Sequence, residues 1–78
     1  MKDLVEYLVK ELVAHPEAVE VVESHGGGGV TYEVSVDPED VGKVIGKGGK
    51  VANSLRTLVK AAASKTYERA SVEIVTED

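Results

Sequence analysis

Three glycines and three lysines crowd into Lys43-Val44-Ile45-Gly46-Lys47-Gly48-Gly49-Lys50. Glycine has no Cβ, so Gly46, Gly48 and Gly49 can take positive φ and let a negatively charged backbone approach the loop amides. The apolar period that follows, from about Lys50 to Ala63, predicts a helix. A helix starting there turns free N–H groups and the positive end of its dipole toward the loop. Lys43, Lys47 and Lys50 add full positive charges. The chemistry implied is the binding of phosphate groups.

The spacing excludes the common nucleotide-binding loops. A Walker loop needs four residues between its first Gly and a Gly-Lys pair, followed by Ser or Thr for magnesium. Here Gly42 precedes Gly46-Lys47 by only three intervening residues, and Gly48 follows the lysine. The dinucleotide fingerprint fails as well: after Gly46-x-Gly48 its last glycine position holds Val51, and no strand leads directly into the loop.

The elements that must position the loop can be read in order. Val5, Leu8, Val9, Leu12 and Val13 recur at helical spacing from about Asp3 to Ala14, and His15-Pro16 stops that helix. Val19, Val21 and Val22 form a short β-branched run before Gly26 to Gly29, read as a mobile hairpin connection because no lysine adjoins it. Val30, Tyr32, Val34 and Val36 then alternate with polar residues as a half-buried strand. Asp37-Pro38-Glu39-Asp40 is a helix start, with Asp37 as cap and Pro38 at the first helical position; this short helix ends at Gly46. After the loop, Val51, Leu55, Leu58 and Ala62 are expected to form the core stripe of the next helix, with Ala52, Val59 and Ala63 as a weaker second stripe. Ala70 to Thr76 reads as a last strand. The crossover through two helices suits parallel pairing of the last two strands.

Seventy-eight residues suggest one small domain spanning 1–78, with little room for a deep catalytic cavity. There is no cysteine, hence no disulfide and no thiolate metal site. No apolar run approaches the roughly 20 residues that span a bilayer, and Met1-Lys2-Asp3 opens an amphipathic pattern, so the expected location is the cytoplasm. The net charge is −5, but it is unevenly spread. Residues 1–42 carry two lysines against ten acidic residues, whereas residues 43–69 carry seven basic residues against Glu68 alone. A basic surface on an acidic body can hold phosphates while the remainder limits non-specific adhesion. His15 and His25 show no spacing that suggests metal ligands, and adjacent Ser24-His25 make no nucleophile–base pair. An enzyme is not expected, nor a metal, cofactor or small-molecule substrate.

Gly46-Lys47-Gly48-Gly49, set between two short helices, resembles the Gly-x-x-Gly loop of the KH domain, which clamps about four nucleotides of a single strand. Over the whole chain the order of elements is similar to a type II KH domain. Asp40 to Lys47 and Leu55 to Ala63 resemble the small bacterial single-KH proteins of the KhpA family. The resemblance implies an α+β fold of order α-β-β-α-α-β, with three helices on one face of a three-stranded mixed sheet. It implies a groove for single-stranded RNA between the two helices joined by the loop and a strand edge. Phosphates would sit at Gly46 to Gly49 among Lys43, Lys47 and Lys50, with Val44, Ile45 and Leu55 in the floor beneath the bases. Many KH domains carry a bulky aliphatic residue where this chain has Ala52, a departure that bears on groove depth and base selectivity.

The resemblance also implies an RNA chaperone or post-transcriptional regulator that pairs with itself or with a larger KH-containing protein. Val59, with Ala52 or Ala63, is the expected pairing surface, because the other stripe is assigned to the core. With no Trp or Phe, and no sheet-face pair among Tyr7, Tyr32 and Tyr67, aromatic stacking is not the expected mode of base contact. The competing reading is a KH-fold protein-assembly module with little intrinsic RNA binding.

Overall fold

Prolines and glycines divide the chain where their backbone preferences require. The computed structural model describes residues 1–65 and 69–75. Helix α1 spans Lys2–Leu12 and buries Val5 and Val9. It gives way at Val13, which is extended (φ −103°, ψ 158°), three residues before Pro16. A single 3-10 turn, Pro16–Ala18, leads into strand β1, Glu20–Gly26, and β2 covers Gly29–Ser35. The strands run further than the sequence pattern suggested: Gly26 pairs with Gly29, leaving only Gly27 and Gly28 as the turn. Both have positive φ (58° and 79°), as the tightest hairpins with right-handed strand twist require.

The Asp37 carboxylate accepts a hydrogen bond from the Glu39 amide at 2.9 Å, the capping role expected of it. The segment it caps begins as a 3-10 turn, Pro38–Asp40, and continues as α2, Val41–Ile45. Helix α3, Lys50–Ser64, follows the glycine loop, and β3 covers Arg69–Ile74. Thr76, placed in the last strand by the sequence pattern, and Tyr67 lie outside the described residues. The sheet order is β1-β2-β3, antiparallel then parallel, with Val30 beside Ala70, Tyr32 beside Val72 and Val34 beside Ile74. This is the α-β-β-α-α-β order and mixed three-stranded sheet expected above.

The inward face of the sheet, with Val21, Val30, Tyr32, Val34, Ala70 and Val72, meets the helices. The face α3 turns inward differs from the one hydrophobicity suggested. Ala52, Leu55, Val59 and Ala63 are buried, while Leu58 is 53% exposed and Val51 and Ala62 are only half-buried. Only Leu55 of the expected core stripe belongs to it. Small side chains, Ala52 and Ala63 on α3 and Ala70 on β3, are among those buried, so size as well as hydrophobicity decides which face turns inward. The larger Val51 and Leu58 are turned toward α1. Val59 is fully buried, so the pairing surface expected at Val59, Ala52 and Ala63 is not available on the folded chain.

Candidate nucleic-acid interface

Gly46, Gly48 and Gly49 have φ of 76°, 65° and 81°, the conformations that side chains with a Cβ rarely adopt. Gly46 ends α2, its amide donating to the Gly42 carbonyl at 2.8 Å, and its own carbonyl accepts from the Gly49 amide at 3.2 Å. A Cβ on Gly46 would stand 2.8 Å from the Val51 amide nitrogen, so only glycine lets the chain fold back against the first turn of α3. Gly48 faces open space and Gly49 serves as the left-handed N-cap residue of α3. The loop therefore delivers whatever it binds to the amide-rich start of a 15-residue helix.

Lys47 and Lys50 are exposed, and neither has an ion-pair partner among the described residues. The Lys43 ammonium lies 3.5 Å from the Asp40 carboxylate but remains 54% exposed. Of the apolar residues assigned to the site, Ile45 is half-buried, Val44 is fully buried in the core, and Leu55 is buried where α3 meets α1. The loop glycines and lysines thus lie at the surface, while Val44 and Leu55 belong to the core.

Asp40 belongs to the helix start Asp37-Pro38-Glu39-Asp40, where an acidic side chain is ordinarily solvated. It is instead fully buried, accepting hydrogen bonds from the Ala14 and His15 amides at 3.1 and 2.9 Å. Burial pushes its carboxyl up, but these two donors, with His15 and Lys43 nearby, prevail and hold it below the usual carboxylate range. The His15 ring meets the Glu39 carboxylate at 3.2 Å, which raises its pKa. His15, Asp37 and Glu39 bring their polar atoms within 4.8 Å of one another, a cluster that their separation along the chain concealed. Its groups already bind each other, and it braces the start of α2.

Sequence reasoning also missed Arg56. Its Nε donates to the Val72 carbonyl of β3 at 3.1 Å and its Nη1 to the Asn53 side-chain oxygen at 3.1 Å. The only signal for it was position: one and two turns into α3, Asn53 and Arg56 share a face leading away from the loop. Beyond them a cleft of about 350 Å³ between α3 and β3 is lined by Lys60, Arg69, Ala70 and Ser71. The opposite, open face of the sheet carries Glu20, Glu33 and Glu73 and no aromatic ring among the described residues, since Tyr32 points into the core. A second opening of about 220 Å³, almost wholly apolar, lies between α1 and α3 beside Leu8, Leu12, Val51, Leu55 and Leu58.

A family model described as the KhpA/KhpB KH domain matches residues 2–74. The chain belongs to this family. It is 53% identical over 75 residues to the RNA-binding protein KhpA of Caldanaerobacter subterraneus subsp. tengcongensis, covering 96% of this chain and all of that protein. The KhpA proteins of Clostridium perfringens (51%, the same coverage) and Chlamydia pneumoniae (42% over 77 residues, 99% of each chain) are similar along their whole length. These relatives are named RNA-binding proteins, in agreement with the reading that expected no enzyme. Among the described residues, no helix is long and apolar enough to cross a membrane.

Proposed function

We propose that this chain is a single KH unit that binds single-stranded RNA, holding about four nucleotides with their phosphates on Gly46 to Gly49. The observation that carries the reading is the loop itself: three positive-φ glycines at the start of α3, with exposed Lys47 and Lys50 that have no carboxylate partner among the described residues. The relatives named as RNA-binding proteins support it. Lys43, Lys47 and Lys50 neutralise phosphates, Ile45 contacts bases, and Val44 and Leu55 keep the loop and α3 in place. Its role is that of a cytoplasmic RNA chaperone or post-transcriptional regulator.

Three neutralised phosphates imply a slope of about −2 in log K against log salt for a single strand. Binding to a random single-stranded RNA pool across a salt series tests this, comparing the native chain with the Lys47→Asp, Gly48→Asp double variant. Both substitutions fall on exposed positions, and aspartate is among the residues that tolerate positive φ best. The reading requires sharply weaker binding by the folded variant; equal binding by the two proteins would remove its mechanism.

So small a footprint calls for avidity from a second KH unit. The apolar opening between α1 and α3 supports such pairing: Leu58 is 53% exposed, and Leu4 and Leu12 are each 38% exposed. A two-fold pair buries the same patch on both partners, here on a second copy or on the matching surface of a larger KH-containing protein. The same patch favours the competing assembly-module reading. Leu58→Glu distinguishes them: it lowers the oligomeric mass while leaving the intrinsic salt slope of RNA binding unchanged, whereas a pure assembly module binds no RNA in either form.

A further inference from the structure

We propose that Arg56 reads a base: the nucleotide lying over the β3 edge next to the glycine loop is selected for acceptor atoms, guanine above all. The proposal rests on the RNA reading of the loop. Its starting point is the direction of one carbonyl. The Val75 amide donates to the Val34 carbonyl at 2.8 Å, so Val75, Glu73 and Ser71 turn their backbone groups toward β2, and Val72, between Ser71 and Glu73, turns its own outward. The Val72 carbonyl is thus an acceptor on the open edge of the sheet, the kind of group that an adenine or cytosine amino group would seek.

Arg56 has already taken it. Its Nε holds that carbonyl at 3.1 Å and its Nη1 holds Asn53 at 3.1 Å, so the half-buried guanidinium plane is pinned at two points. Its other N–H donors have no acceptor among the described residues. Asn53 in turn borders the loop, its Nδ2 lying 4.0 Å from where a Cβ on Gly49 would be. Gly49, Asn53, Arg56 and Val72 therefore run in sequence from the phosphate loop to the strand edge. Arg56 is about 10 Å along α3 from Gly49, within the span of a short bound strand.

The arrangement inverts the polarity of that edge. A base amino group there meets donors facing donors. Guanine offers O6 and N7 side by side and accepts two parallel N–H bonds from one guanidinium. Lysine cannot replace arginine in this role, because an ammonium keeps the charge and loses the planar fork.

The test uses a short oligoadenylate carrying guanosine, inosine, 2-aminopurine riboside or adenosine at its centre. Inosine keeps O6 and N7, whereas 2-aminopurine lacks O6. The native chain binds the guanosine and inosine strands about 10-fold more tightly than the other two. In Arg56→Lys that ratio falls to about twofold or less while the salt slope stays near −2. Asn53→Ala, at an exposed position, unpins the guanidinium and erodes the ratio, and it carries the test if Arg56→Lys fails to fold. If all four strands bind the native chain alike, and Gly48→Asp still abolishes that binding, the loop reading stands and the base reading falls. A uniform loss across the four strands in Arg56→Lys, or a ratio unchanged in both variants, also overturns it. If the native chain binds none of the strands at low salt, both readings fall together.

Discussion

The chain has two glycine clusters, Gly26 to Gly29 and Gly46 to Gly49, and their backbones are more alike than their roles. Each contains residues of positive φ, and each contains one glycine at which a Cβ would crowd neighbouring backbone. A Cβ on Gly29 would stand 2.7 Å from the Arg69 carbonyl oxygen, just as one on Gly46 would collide with Val51. What differs is the surroundings. The first cluster closes a hairpin whose amides belong to strands, with Glu23 and His25 paired beside it at 3.0 Å. The second opens a long helix, with Lys47 and Lys50 exposed and without an ion-pair partner among the described residues. Glycine content thus marks a turn, and the element that follows, with its charges, decides whether the turn can bind anything.

Substitutions at matched positions test that lesson. The largest effect belongs to Gly46→Ala, which imposes both an unfavourable φ and a clash with Val51 backbone and side chain. A loss of about 3 kcal/mol follows, seen as a drop of about 15 °C in a thermal melt monitored by circular dichroism. Next comes a mirrored pair, Gly48→Asp and Gly28→Asp, which place the same charge on similar backbones (φ 65° and 79°) in open space. Both variants fold, but only Gly48→Asp weakens RNA binding, by about 10-fold or more at low salt, as one repelled phosphate contact implies. Equal losses in the two would erase the distinction between the clusters. The smallest effect is expected for Gly29→Ala, where the hairpin end shifts away from β3 at a cost of about 1 kcal/mol, with RNA affinity unchanged in a titration of the folded protein.

The element order, the hairpin, the Asp37 cap and the loop were legible because each depends on residues close together in sequence. Proline and glycine fix local dihedrals, and alternation or helical period fixes faces. Three features were not legible. The inward face of α3 buries the small Ala52 and Ala63 and leaves the larger Leu58 exposed, a choice set by packing partners distant in sequence rather than by hydrophobicity alone. The burial of Asp40 depended on amides 25 and 26 residues earlier. Arg56 found its partner carbonyl 16 residues later, on a strand whose open side depends on its pairing with β2. Each of these is a long-range fact: the residue type was visible, but its counterpart was not.

Asp40 also bears on the order in which the molecule assembles. Its two donors sit at the end of α1, and the whole β1–β2 hairpin lies between them and the carboxylate. The carboxylate can leave water only when both amides are in place, so a chain with an unformed hairpin keeps it solvated. Its burial therefore couples the end of α1 to the start of α2. Native-state hydrogen exchange at the Ala14 and His15 amides should report on opening of the N-terminal half as a unit, well after the open amides of the glycine loop have exchanged.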